Sequence, residues 1–321
     1  MIRKIMKLIS GMNRSRRRLR TVISEHVEIE TRKIRQENQL LLHHYMEGQS
    51  RMIEMDDSLR YARHLQNSLL PNEARLRELA GDAFLLNIPR DVLSGDFCWC
   101  HRTDNLLIIA VADCTGHGVP GALMSMLGLN LLNRAVIDQG LTSPSEILRK
   151  VDHGMQETFA QHSEQHTQRS YDGMDISLCT IDIAHRTLRF AGAMRPMFLL
   201  QDNSLTEING ARYPIGGMRF DRERAFPEHT LPYSDGAQLY LFSDGFADQF
   251  GGPKNKKFSR ERLRKLIYSI APDATAEHRR QQFHEAFVLW KGVTEQTDDV
   301  LVAGVTLSSL GSARDDSGSV L

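Results

Sequence analysis

The sequence predicts an α/β protein: one layered domain, rich in antiparallel strands, behind a long N-terminal helix. Three observations carry that expectation. Residues 21–69 contain no proline and a single glycine, Gly48, and are dominated by residues that lose little on entering a helix. From Ala83 onward, short apolar runs of strand length are broken by glycine and aspartate turns. Helical stretches are inserted between groups of strands rather than alternating with single strands, which argues against a doubly wound nucleotide fold.

In chain order, residues 1–20 read as a basic leader. Residues 1–35 hold eleven Lys or Arg against three Glu, so the rest of a chain of zero formal net charge is acidic by the same amount. A basic leader can touch anionic lipid or nucleic acid, or it can be the solvated start of a helix. The solvated start is preferred: no nucleic-acid partner is expected, and membrane-surface contact is the lesser alternative. Residues 21–70 read as a regulatory linker helix. Every seventh residue gives Val27, Ile34, Leu41, Gly48, Met55, Ala62 and Leu69, with Asn38, Tyr45, Met52, Leu59 and Gln66 among the companions three residues earlier. This is a patchy heptad seam, better in its second half. A lone helix cannot bury such a stripe, so a parallel homodimer is expected, the alternative being a helix folded back on its own domain. Pro71 then ends the helix.

Residues 71–308 form the predicted domain. Residues 83–88 are strand-like, and 95–102 with 106–113 form a hairpin closing at 103–105. Helices follow at 119–138 and 144–160, the second with Ser143 as N-cap and Pro144 at its first position. Strands are expected at 175–183, 187–191, 197–200 and 238–242, helices at 259–270 and 275–290, and a last strand at 300–307. Residues 309–321, mostly Gly, Ser, Asp and Arg, are expected to be disordered. No apolar run approaches the roughly 20 residues of a membrane span, and the first residues lack the apolar stretch of a secretory signal. Four cysteines, Cys98, Cys100, Cys114 and Cys179, lack the paired spacing of a zinc site and imply reduced thiols, hence a cytoplasmic protein.

The chemistry lies in aspartates where strands end and glycine turns begin: Asp96 in SGDF, Asp113 in VADCTGHG, Asp244 in LFSDGF, and Asp298 or Asp299 in QTDDVLVAG. A single Asp-Gly is a plain turn. Four such sites beside apolar strands point to a shared task. Carboxylates without His or Cys partners suit hard cations, Mg²⁺ or Mn²⁺, and two such ions about 3.5–4 Å apart activate water and neutralise a phosphoryl group.

RDVLSGDFCW, LLIIAVADCTGHGVPGALMSMLG, LYLFSDGFADQFGG and QTDDVLVAGV, in that order, resemble the motif series of the PPM (type 2C) protein phosphatases, in their bacterial SpoIIE-like branch. YARHLQNSLLP, DGMDISLCTID, the AGAMRP turn and PIGG support the resemblance, which spans residues 60–308. It implies an α-β-β-α sandwich and a serine/threonine phosphatase with two Mn²⁺ or Mg²⁺ ions per active site. By the same resemblance Asp113 bridges both metals, the Cys114 carbonyl completes one site, Asp96 serves the first metal, and Asp244 and Asp298 serve the second. Asp299 is the second choice within its pair. It also implies a phosphorylated STAS-domain regulator as substrate, in a bacterial partner-switching pathway. A non-catalytic coiled-coil adaptor or pseudophosphatase is the alternative.

Other residues stay open at this level. Asp172 and Asp175 in DGMD read either as ligands of a third metal or as a hairpin turn. His117 reads as a general acid for the leaving oxygen or as a turn histidine, since Cys114 and Thr115 separate Asp113 from GHG. Arg90, six residues before Asp96, reads as a phosphate fork or a surface arginine. Met124, Met126, Leu127, Leu131 and Leu132 read as core, and Cys98, Trp99 and Cys100 as alternating faces of one strand.

Overall fold

A computed structural model describes residues 1–160, 172–217 and 224–307, the side chains of residues 3, 4, 7–10, 13, 14 and 160 excepted. The predicted disordered tail, 309–321, lies outside the described residues. The chain divides into two compact units, Met1–Arg60 and Tyr61–Leu321, each described by itself.

Helix α1 (Ile2–Leu69) begins at Ile2, so the basic leader is itself helical. In the first unit the seam residues Val27, Ile34, Leu41 and Met55 are all exposed, an apolar stripe that this unit does not cover. In the second unit α1 ends before Pro71, and a helix not anticipated from the sequence follows, α2 (Glu73–Ala80). Asn72 caps it by accepting a hydrogen bond from the Arg75 amide, and Gly81 closes it at φ 76° with its N–H on the Arg77 carbonyl.

Strands β1 (Ala83–Ile88), β2 (Phe97–Arg102) and β3 (Leu106–Cys114) come next. Helix α3 (Gly118–Asn133) runs into a π-helical turn, Arg134–Asp138, where an unbroken α-helix was expected. Helix α4 (Pro144–Ala160) starts at the predicted proline, and the Ser143 hydroxyl accepts from the Glu146 amide. Then come β4 (Gly173–Asp182), β5 (Thr187–Ala193), β6 (Met197–Gln201), β7 (Ser204–Ile208), β8 (Ile215–Gly216), β9 (His229–Pro232) and β10 (Gln238–Phe242). A one-turn helix α5 (Gly245–Asp248), the ribbon β11 (Phe250–Gly251) and β12 (Lys256–Lys257), α6 (Arg260–Ser269), α7 (Ala276–Lys291) and β13 (Val300–Thr306) complete the order.

Two antiparallel sheets form, one ordered β1-β13-β10-β6-β7, the other β2-β3-β4-β5-β9 with β8 on β4. Their facing sides share one apolar layer, including Leu85, Cys98, Ile109, Leu199, Leu241 and Val305. The outer face of the second sheet packs Trp99, Ile108 and Leu178 against Leu132, Leu148 and Val151 of α3 and α4. The outer face of the first packs Phe84, Tyr240 and Phe242 against Leu263 of α6 and Phe283 and Phe287 of α7. This is the α-β-β-α sandwich. As predicted, Cys98 and Cys100 face the inner layer while Trp99 between them faces the helices. Burial on both faces explains why these strands read as continuous apolar runs.

Candidate active site

Pairing of the central strands sets the site. In the β3–β4 register Asp113 lies directly opposite Asp175, two like charges in a position that is destabilising by itself. The relief is Arg195, in the turn between β5 and β6. Its Nη2 lies 3.1 Å from Asp113 Oδ2, 2.8 Å from Asp175 Oδ2 and 2.6 Å from Asp244 Oδ2. Asp244 arrives at the end of β10, and its amide donates to Asp113 Oδ2 at 3.4 Å. Gly245 lets the Asp299 backbone come close to Asp244: a Cβ there would stand 1.9 Å from the Asp299 carbonyl oxygen.

The remaining aspartates stand just before β2 and β13. Asp96 is buried, and its Oδ2 has no hydrogen-bond partner. Burial and then the Asp113 charge raise its carboxyl well above the usual range, with Asp299 and Asp298 adding and Ser243 offsetting. Burial likewise pushes Asp113 up to about 7; Arg195 opposes the shift, and Asp244 and Asp175 reinforce it. Asp175 and Asp298 are also raised, burial being the first cause in each.

The Asp298–Asp299 pair divides sharply. Asp299 is buried, and both of its oxygens accept backbone amides: Oδ1 from Arg90 and Oδ2 from Gly95, each at 2.7 Å. Asp298 is exposed, accepts the Asp299 amide through Oδ1 at 2.8 Å, and feels the Asp244 charge. The geometry makes Asp299 a latch between two loops and leaves Asp298 the carboxylate with unused oxygen capacity.

The Cys114 thiol is buried, and burial followed by Asp96 and Asp113 pushes it well up, so its sulfur stays protonated. Its carbonyl oxygen turns toward the Asp96 loop, 3.2 Å from where a Gly95 Cβ would be. Gly121 is required beside it, since a Cβ there would meet the Gly116 carbonyl at 2.4 Å.

Of the open candidates, Asp175 joins the main cluster. The Asp172 carbonyl instead accepts the Gly217 amide at 2.9 Å. His117 is exposed at the start of α3, makes no side-chain cap, and meets Asp91 Oδ2 through Nδ1 at 2.6 Å. Arg90 is exposed and touches none of the three carboxylates on Arg195: Nη1 donates to the Thr297 carbonyl at 3.1 Å, tying it to the turn before Asp298. Gln66, in the last turns of α1, is also buried. Its amide donates to the Ser94 carbonyl at 2.7 Å and Ser125 Oγ at 3.2 Å, and its carbonyl accepts from the Ser94 amide. It thereby joins α1 to the Asp96 loop and to α3.

Sequence reasoning missed Arg195, Asp91 and the grip of Gln66. One signal for Arg195 was present: it is the lone charge in the strand-like AGAMRPMFLL segment, with no acidic neighbour to pair with. Among the described residues, no three His, Cys, Asp or Glu side chains converge in a ready-made metal cage. The point where Asp113, Asp175 and Asp244 meet is held by the Arg195 guanidinium. The donor set nonetheless fits divalent ions. Three carboxylates, Asp113, Asp175 and Asp244, share one buried cation, Asp96, Asp113, Asp175 and Asp298 carry raised pKa values, and Asp96 Oδ2 is a buried acceptor without a donor.

Comparison with known proteins agrees with this chemistry. A family profile described as Stage II sporulation protein E (SpoIIE) matches residues 103–307. Among solved structures, the SiaA-PP2C domain of Pseudomonas aeruginosa is similar at 30% identity and a TM-score of 0.72, covering 79% of this chain and 98% of that one. The PP2C phosphatase domain with a fragment of the regulatory domain of SpoIIE from Bacillus subtilis has 16% identity and a TM-score of 0.56, covering 70% of this chain and 62% of that one. The RsbU and RsbW domains of Rv1364c from Mycobacterium tuberculosis have 20% identity and a TM-score of 0.53, covering 71% and 60%. Comparison with curated proteins gives no match.

Proposed function

The chain belongs to the SpoIIE family of metal-dependent, PP2C-type serine/threonine protein phosphatases, and from that premise we propose that it dephosphorylates a small STAS-domain regulator in a bacterial partner-switching pathway. The observation that carries the catalytic reading is the cluster of Asp96, Asp113, Asp175, Asp244 and Asp298, three of them on one buried guanidinium and Asp96 with a buried oxygen that no donor meets. Asp96, Asp113, Asp244 and Asp298, with the Cys114 carbonyl, would hold two Mn²⁺ or Mg²⁺ ions. When bound, such ions lower the pKa of water and neutralise phosphoryl charge.

The chain's own residues do the rest. Asp299 fixes the Gly95 and Arg90 amides, so that Asp96 and Asp298 keep their spacing. His117, held through Nδ1 by Asp91, keeps Nε2 for delivering a proton to the departing serine or threonine oxygen. Water is the nucleophile, so no phosphoenzyme forms.

The likeness in fold to the RsbU and RsbW domains is compatible with a partner-switching setting. The exposed heptad stripe of α1 supports a parallel homodimer. No helix of the described residues is long and apolar enough to cross a membrane; the cytoplasmic site of action is part of the proposal. The test is Mn²⁺-dependent release of phosphate from a phosphorylated STAS protein. Asp113→Ala and Asp244→Ala are expected to abolish it while circular dichroism stays native; wild-type turnover in either variant refutes the assignment. Capture of a phosphorylated STAS protein by the Asp113→Ala variant checks the substrate, and retention of only unrelated phosphoproteins refutes it.

A further inference from the structure

We propose that Arg195 is a built-in counter-cation of the acidic centre, which holds the Asp113–Asp244 carboxylates together without metal and must yield them for a divalent ion to bind. The inference rests on the metal-dependent reading above. It adds a residue that limits metal affinity, and so a basis for keeping the enzyme off at low metal concentration.

The geometry carries the argument. One terminal nitrogen serves three carboxylate oxygens, and two of these belong to Asp113 and Asp244, the residues that would hold the ions. The guanidinium side chain is only 11% exposed. A monovalent cation and a divalent cation on the same oxygens repel each other strongly in so dry a place, so they compete. The guanidinium cannot surrender its charge instead. An arginine guanidinium stays protonated in proteins.

The backbone under Arg195 is fixed, so what moves is the side chain. The Arg195 amide donates to the Ala193 carbonyl, the Met194 amide to the Ala211 carbonyl and the Ser177 hydroxyl to the Pro196 carbonyl, at 2.7, 2.7 and 2.9 Å. Gly192 and Gly210 lie hard against the turn, where a Cβ at either would meet the Arg195 carbonyl at 2.4 or 2.8 Å. Within the site the guanidinium is under-used: Nε is buried and finds no acceptor. A buried donor without a partner lowers the cost of leaving, since departure lets it regain one.

The test is calorimetric titration of MnCl₂ into full-length, EDTA-stripped protein, with thermal unfolding in EDTA and in Mn²⁺ alongside. Arg195→Gln is expected to bind Mn²⁺ at least about tenfold more tightly than wild type, because the competing charge is gone. Arg195→Lys, which keeps the charge, is expected to stay within about threefold of wild type. The EDTA melting temperature of Arg195→Gln falls and its Mn²⁺-induced rise exceeds that of wild type, and this second comparison holds even if the variant is largely unfolded without metal. An unchanged or weaker Mn²⁺ affinity, or an equal thermal rise, overturns the proposal and leaves Arg195 a structural residue. Asp113→Asn separates the two readings. If wild type binds Mn²⁺ and Asp113→Asn does not, failure at Arg195 concerns this inference alone; if wild type binds none, the metal centre itself fails and this inference with it.

Discussion

The two adjacent aspartates before β13 are chemically alike yet set to opposite tasks, and replacing each in turn separates the tasks. Asp299→Ala removes the acceptor of two backbone amides, Arg90 and Gly95. The Gly95 bond is buried and the Arg90 bond partly so. An unsatisfied buried donor costs roughly 1–3 kcal/mol, so the pair gives roughly 2–6 kcal/mol. Loss of the Asp299 charge returns a little by easing its repulsion of Asp96, which leaves about 3 kcal/mol. At about 2–4 °C per kcal/mol for a domain of this size, the melting temperature in EDTA falls by about 6–12 °C. Asp298→Ala removes one cap on an exposed side chain, the bond to the Asp299 amide, worth about 1 kcal/mol, and the melting temperature moves by no more than about 4 °C. Mn²⁺ titration reverses the order: Asp298→Ala loses affinity at least about tenfold, the scale of losing one ligand to a hard cation. Asp299→Asn keeps one acceptor oxygen and falls between. The division of labour is refuted if Asp299→Ala melts within 2 °C of Asp298→Ala in EDTA, or if the loss of Mn²⁺ affinity falls on Asp299 alone; the 2 °C margin is about the effect of 1 kcal/mol.

Further expectations follow from the same geometry. In metal-free protein Asp113 keeps a proton up to about pH 7 that the unfolded chain releases near its ordinary carboxylate pKa. Its stabilisation is present below the unfolded value and lost as pH rises through 7, by a few kcal/mol on the order-of-magnitude scale. Melting in EDTA should therefore fall from pH 5 to pH 8, and Asp113→Asn should remove much of that slope; a curve that rises over this range contradicts the burial of the cluster. Gly245→Ala drives a methyl onto the Asp299 carbonyl at 1.9 Å, so urea unfolding should show a loss of about 1–3 kcal/mol and Mn²⁺-dependent phosphatase activity should collapse. Removing residues 1–60 leaves Gln66 in place, and we expect it to change the Mn²⁺ concentration for half-maximal activity; identical metal dependence in the two forms would show that the first unit does not regulate the site.

Much of this arrangement was written in local sequence. Gln238–Phe242 emerges with the predicted bounds because five buried apolar or paired residues end abruptly at Ser243-Asp244-Gly245. The candidate aspartates were visible because each follows or precedes an apolar strand, with a glycine close by in the sequence. What stayed hidden depends on contacts between distant segments. Arg195 is buried only because β3, β4 and the end of β10 bring three acids around it. Asp298 and Asp299 could be told apart only once Arg90 and Gly95, more than 200 residues earlier, were seen donating to one of them. Short strands such as Ile215–Gly216 have no periodicity to detect, being defined wholly by their partner. Helix α2 did carry a signal, Asn72 before an acidic first turn, but Pro71 masked it by reading as the end of helical structure.

The grip of Gln66 has a bearing on how this chain can change over evolutionary time. An α-helix turns about 100° per residue, so inserting or deleting one residue between Gln66 and Pro71 would swing the carboxamide away from Ser94 and Ser125. That short stretch should therefore be intolerant of length variation. A change of length there would be felt at the Asp96 loop itself, so the phase of the last turns of α1 is part of how the site is built.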